Sequence, residues 1–118
     1  VFGDGTQTRS LCYVDDLVDG LIAMARTPSA RGEIMNLGNP REYTVREIAE
    51  MVLDVAGLDG ALEFGPLPQH DPMRRCPDIA KARHTLGWGP KIEIHEGLSM
   101  LIADFKARLA AGETLAPL

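Results

Sequence analysis

At 118 residues, 45% apolar and 25% charged, the chain fits one small unit, and a unit of this size buries only roughly 65% of the surface that its unfolded chain exposes. A formal charge of −5 argues against nucleic acid or an anionic membrane as partner, since either needs a net basic face; any contact to phosphate must come from arginines gathered locally. No apolar run is long enough to span a bilayer, no leader is visible, and Cys12 and Cys76 are the only cysteines, which points to a cytoplasmic chain with reduced thiols.

Val1 and Phe2 form an extended apolar pair running into Asp4-Gly5, with no initiator methionine, as if a strand were entered part-way along. The natural N-terminus is therefore expected upstream. Residues 2–6 hold two glycines around Asp4 and predict a tight turn, followed by a strand over 9–14. Asp15 or Asp16 then caps a helix in which Val14, Leu17, Val18, Leu21, Ile22 and Ala25 recur at helical spacing, giving one buried stripe that ends before Thr27-Pro28. After a turn at Arg31-Gly32, residues 33–37 predict a short strand, broken at Gly38-Asn39-Pro40.

Thr44 and Glu47 have capping-box spacing. Val45, Ile48, Ala49, Val52, Leu53 and Ala56 give the face of the helix that follows, and Gly57 suits its stop. Residues 62–64 predict another strand, and the two prolines at 66 and 68 keep the next stretch extended. A loop over 69–77 leads to a short helix capped by Asp78 and closed at Leu86-Gly87. Trp88 to Pro90 then turn the chain into a last helix carrying Leu98, Leu101, Ile102, Phe105 and Leu109. The tail over 112–118 is expected to fray. The whole reads as an α/β unit.

Two segments are suited to binding anions. Residues 3–9 are a glycine turn that delivers Gln7 and Arg9 to the start of a strand; an arginine fork fits a phosphate bidentately, and glycines allow close backbone approach. The same residues also suit a polar turn with a solvent-facing arginine. In the proline-bounded loop 70–78, Arg74 and Arg75 lie beside Asp71 and Asp78, a pattern that equally suits a solvated loop with surface ion pairs. Asn36 closes the strand expected over 33–37, where side chains of α/β folds face a crevice, or else bonds its own backbone in a turn. Asp15, Asp16 and Asp19 most simply cap or solvate their helix. His70, His84 and His95 lack ligand spacing and no cysteine pair accompanies them, so no metal site is expected. No nucleophile elbow is present.

Several motifs match one family in order. Val1-Phe2-Gly3-Asp4-Gly5 leads through Gln7-Thr8-Arg9 to Tyr13-Val14-Asp15-Asp16-Leu17. Asn36-Leu37-Gly38-Asn39-Pro40, Asp71-Pro72 with Arg74-Arg75 and Pro77-Asp78-Ile79, Lys81-Ala82 and Leu86-Gly87-Trp88 follow. Over residues 1–110 the chain resembles the C-terminal substrate-binding part of extended short-chain dehydrogenases, the NAD-dependent epimerase/dehydratase family. Within it the combination is most similar to UDP-glucuronate decarboxylases, and less so to dTDP-glucose 4,6-dehydratases and UDP-glucose 4-epimerases.

The resemblance implies that residues 1–111 form a nucleotide-sugar-binding domain. NAD, the Rossmann core and the tyrosine-x-x-x-lysine pair would lie in an N-terminal domain outside this sequence, leaving no cofactor-binding or obligate catalytic residue here. It further implies that Arg9 and Arg75 contact the nucleotide diphosphate or its ribose, that Gln7 lies in the same nucleotide-contacting strand, and that Asn36 lines the nucleotide pocket. An assisting role in decarboxylation is implied for Arg75, and a homodimer for the parent enzyme. The chain departs from the pattern at Phe2, where the family carries tyrosine, and at Leu11 and Cys12, which replace a phenylalanine-glutamine pair.

Overall fold

The computed structural model describes residues 1–114. In chain order the elements are strand β1 (Thr8–Arg9), helix α1 (Val14–Arg26), a 3-10 turn (Pro28–Ala30), strand β2 (Tyr43–Thr44), and helices α2 (Val45–Ala56), α3 (Ala80–Leu86) and α4 (Ile94–Ala110). β1 and β2 pair antiparallel, with Thr8 opposite Thr44 and Arg9 opposite Tyr43. α2 packs on α4, while α1 packs on α3 and the 3-10 turn.

The four helices lie where the sequence predicts them, three from apolar periodicity and α3 from its start at Asp78 and stop at Gly87. α2 carries the capping box in full: the Glu47 amide donates to Thr44 Oγ1 (3.1 Å), and the Thr44 amide donates to Glu47 Oε2 (2.7 Å). It stops at Gly57 in the left-handed conformation, as α3 does at Gly87. The Asp78 carboxylate accepts from the Ala80 amide (2.9 Å) one residue outside the α3 N-cap, Ile79. α4 starts one turn before its first expected apolar position. Of the tail expected to fray, residues 115–118 lie outside the described residues. Gly112 and Glu113 fold back, their amides donating to the Leu109 and Arg108 carbonyls.

The strands differ from expectation. The one expected over 9–14 is only Thr8–Arg9, because β2 offers two residues to pair with and the helix already begins at Val14. Residues 33–37 run without regular structure and have no strand beside them among the described residues. In place of a strand over 62–64 there is a single parallel bridge between Phe2 and Gly65, backed by Gly3 N to Gly65 O and Gly65 N to Val1 O, each 2.8 Å. β2 has no counterpart in the sequence reading, since the capping box at Thr44 masks the two extended residues that lead into it.

α1 faces the other way from its apolar stripe. Val14, Leu17, Val18, Leu21 and Ile22 are exposed, and the residues it buries are Asp16 and Gly20. Gly20 lies against the Trp88 indole so closely that a Cβ there would meet the ring at 2.9 Å and Leu37 Cδ1 at 3.1 Å. Asp16, expected to cap or solvate the helix, is 4% exposed and clasps the chain before α4. Its Oδ2 accepts from the amides of Lys91 (3.1 Å) and Ile92 (2.9 Å), and its carbonyl accepts from Trp88 Nε1 (3.0 Å). The core beneath is small: Ile79, Ala82 and Trp88, with Leu37 and Leu86 packed against them.

Candidate functional site

The site is built outward from the glycine turn. Gly3 and Gly5 take φ of 66° and 78°, a region open to glycine but costly for residues with a Cβ. Between them Asp4 Oδ1 accepts from the Thr6 amide (3.0 Å) and hydroxyl (2.7 Å), which holds its carboxyl below the usual range. Gln7 is 3% exposed. Its side-chain Nε2 donates to the Phe2 carbonyl (2.8 Å) and its backbone carbonyl accepts from the Val45 amide (2.9 Å), so it braces the turn from inside.

Beyond the turn, β1 is flanked on both sides. β2 lies on one edge, and the arginine loop lies on the other through a parallel bridge of Thr8 with Arg74: the Thr8 amide donates to Met73 O (2.8 Å) and the Arg75 amide to Thr8 O (3.3 Å). Side chains alternate across such a ribbon. Thr8 and Arg74 therefore share one face, and Arg9, Arg75 and Tyr43 share the other.

The first face is closed by Glu42. Its Oε1 accepts from the Thr8 hydroxyl (2.7 Å) and Arg74 Nε (2.9 Å), while Oε2 accepts from the same guanidinium. The Arg74 fork, followed by Thr8, holds the Glu42 carboxyl down to about 2. Arg74 is thereby committed to an internal partner. Arg75, its neighbour, is exposed, and its guanidinium has no hydrogen-bond or ion-pair partner among the described residues.

On the second face Arg9 keeps 21% side-chain exposure while Nη2 donates to Asp71 Oδ1 (2.6 Å). Nη1 donates to the carbonyls of Thr8 (2.7 Å) and Pro72 (2.8 Å). Arg41 stacks over the Tyr43 ring at 5.2 Å from its centroid and pairs with Glu93. Asn36 is exposed, and its Nδ2 donates to the Asp78 carbonyl (3.1 Å), tying it to the far end of the arginine loop.

The residues expected to bind ligand thus fall into three places: Arg9 and Arg75 together on one ribbon face, Asn36 at the end of the loop, and Gln7 buried under the turn. The sequence reading missed Glu42, whose parity with Thr44 marks its face once β2 is known, and missed the inward role of Asp16. Another cleft, of about 360 Å³, is lined by Tyr43, Glu47, Glu50, Met51, Asp54 and His95. Its three carboxylates make it unsuited to a phosphate. Both cysteines are free thiols; burial, then the Asp16 carboxylate, pushes Cys12 up. Among the described residues no cluster of side chains could hold a metal ion, and no helix is long and apolar enough to cross a membrane.

A dinucleotide pyrophosphate is usually cradled where a glycine loop links a strand to a helix N-terminus. Here the glycine turn runs into β1, and the helices start after Tyr13, Thr44, Ile79 and Glu93. The described residues do not fit a dinucleotide.

Residues 1–38 match the model of the NAD dependent epimerase/dehydratase family. UDP-glucuronic acid decarboxylase 1 of Arabidopsis thaliana is 46% identical over 109 residues, covering 92% of this chain and 25% of the relative. The protein of that name from Danio rerio is 41% identical over 109 residues, covering 92% and 26%. Among solved structures, Thermotoga maritima UDP-glucose 4-epimerase with UDP-glucose superposes with a TM-score of 0.86 at 30% identity, over 92% of this chain and 35% of that one. Bacillus cereus UDP-glucuronic acid 4-epimerase in complex with UDP-glucuronic acid and NAD gives 0.84 at 30% identity, over 91% and 34%. The chain spans about a quarter of the length of these curated relatives. By its motifs, its fold and these likenesses, it is similar to members of the NAD-dependent epimerase/dehydratase family, whose model it matches over residues 1–38.

Proposed function

We propose that this chain is the nucleotide-sugar-gripping portion, over residues 1–111, of an NAD-dependent lyase that decarboxylates UDP-glucuronate to UDP-xylose. The reading is carried by the register across β1, which sets Arg9 and Arg75 on one face of the ribbon. Two planar forks so placed suit two linked phosphates, each met bidentately. In a chain of net charge −5 that attraction is local and specific to the site. Asn36 adds neutral donors beside the loop, and Gln7 keeps the turn in shape from beneath. The relatives named as UDP-glucuronic acid decarboxylases and the epimerases solved with UDP-linked sugars support the ligand class.

Grip on a remote diphosphate orients the sugar and can supply much of the rate. In this reading NAD and the proton-transferring groups belong to the rest of a cytoplasmic, homodimeric protein, and residues 1–118 alone turn nothing over.

The test is full-length protein with UDP-glucuronate and NAD. Release of carbon dioxide with appearance of UDP-xylose supports the proposal. A 4-epimerised uronate without carbon dioxide makes the parent an epimerase, and dehydration of dTDP-glucose makes it a 4,6-dehydratase. UDP binding without turnover of any sugar nucleotide leaves a non-catalytic binding module.

A further inference from the structure

We propose that Asp71 is a positioning residue for Arg9: with the Thr8 and Pro72 carbonyls, its carboxylate fixes the guanidinium so that the remaining donors meet the phosphate of the substrate. The inference rests on the nucleotide-sugar reading above.

A guanidinium carries five N–H donors. Three are engaged inside the fold: both on Nη1, to Thr8 O and Pro72 O, and one on Nη2, to Asp71 Oδ1. The two left over are Nε–H and the second Nη2–H, and Nε and Nη2 lie along one edge of the plane. A phosphate needs a pair of donors so placed. The side chain retains 21% exposure, so it is anchored without being sealed off.

Arg75 on the same face has no such anchor, and its side chain must be ordered when ligand binds. Arg9 is ordered beforehand, which removes that cost. The anchor itself is held firmly. The Asp71 amide donates to the Pro68 carbonyl (3.2 Å), and a proline follows. His70 just before it has φ 68°, a left-handed conformation rare for a residue with a Cβ.

The test titrates UDP and uridine into full-length protein carrying Asp71→Ala, Asp71→Asn or Arg9→Ala. Asp71→Ala is expected to raise the UDP Kd roughly tenfold, the worth of about one charge-assisted hydrogen bond. Asp71→Asn keeps one acceptor oxygen and should raise it less, and uridine, which lacks phosphate, should move by less than about twofold. Equal weakening of UDP and uridine would mean that Asp71 only supports the fold, which overturns the proposal. Tighter UDP binding would make Asp71 a competitor for Arg9 and overturns it too, as does unchanged UDP binding. If Arg9→Ala leaves UDP affinity untouched, the nucleotide-sugar reading of Arg9 fails, a result separable from any of these.

Discussion

Arg74 and Arg75 are adjacent and chemically identical, yet they take opposite roles because the bridge to Thr8 turns one toward Glu42 and the other away. Arg75→Ala in the full-length protein should weaken UDP binding by about 1.5 to 3 kcal/mol, the range for hydrogen bonds to charged groups, and calorimetry with UDP checks it. The Glu42 side has a pH signature. Its carboxyl, ordinarily near 4.5, is held at about 2 in the folded chain. A depressed carboxylate adds stability above its unfolded value, and the contribution is lost as pH falls through the folded one. The difference in Tm between wild type and Glu42→Gln should therefore be constant above about pH 5, shrink between about 4.5 and 2, and vanish below. Thermal melts across that range measure it.

Helices were legible in the sequence because each carries its own instructions: the Thr44–Glu47 box, the glycines at 57 and 87, and the apolar spacing of α4. Strands were not, because a strand is defined by its neighbour. Residues 33–37 have the composition of a strand but no strand beside them among the described residues, whereas Tyr43–Thr44 become one because Thr8–Arg9 lie opposite. The orientation of α1 was misread for a similar reason, since periodicity reports which face is apolar and says nothing of what is present to cover it. The small residue at 20 held the answer. Gly20→Ala should destabilise the chain by about 1 to 3 kcal/mol, the usual cost of overpacking, because the added methyl meets the buried Trp88 ring at 2.9 Å. Denaturant unfolding of the variant reads this directly.

At the scale of the whole molecule the chain is open. Its radius of gyration is 16.9 Å with extents of 49 × 37 × 23 Å, against roughly 13.5 Å for a compact domain of this length. The exposed stripe of α1, the unpaired stretch after it and Ile34, 87% exposed, lie in one span of sequence. Apolar surface of that kind suits a covering partner, and in the proposed full-length protein the Rossmann domain supplies it. Amide hydrogen exchange should then differ between the two forms. Residues 34–37, whose amides make no backbone bond among the described residues, should exchange within seconds in the isolated chain. In the full-length protein they should be protected at least about a hundredfold, as amides of a paired strand are. Equal exchange in both would remove the idea that this segment is covered.

The Asp16 clasp also dictates timing. The carboxylate closes onto amides 75 and 76 residues further along, and Trp88 reaches its carbonyl from 72 residues away. Loop closure over such separations is entropically costly and slows folding. On the ribosome, α1 emerges well before Trp88 and Ile92, and the contacts that bury its Asp16 and Gly20 can form only once those residues have followed. For that interval the Asp16 carboxylate is without its two amide donors and Gly20 without the indole that it meets in the folded chain, so the inward face of α1 is the last part of the helix to be satisfied during synthesis.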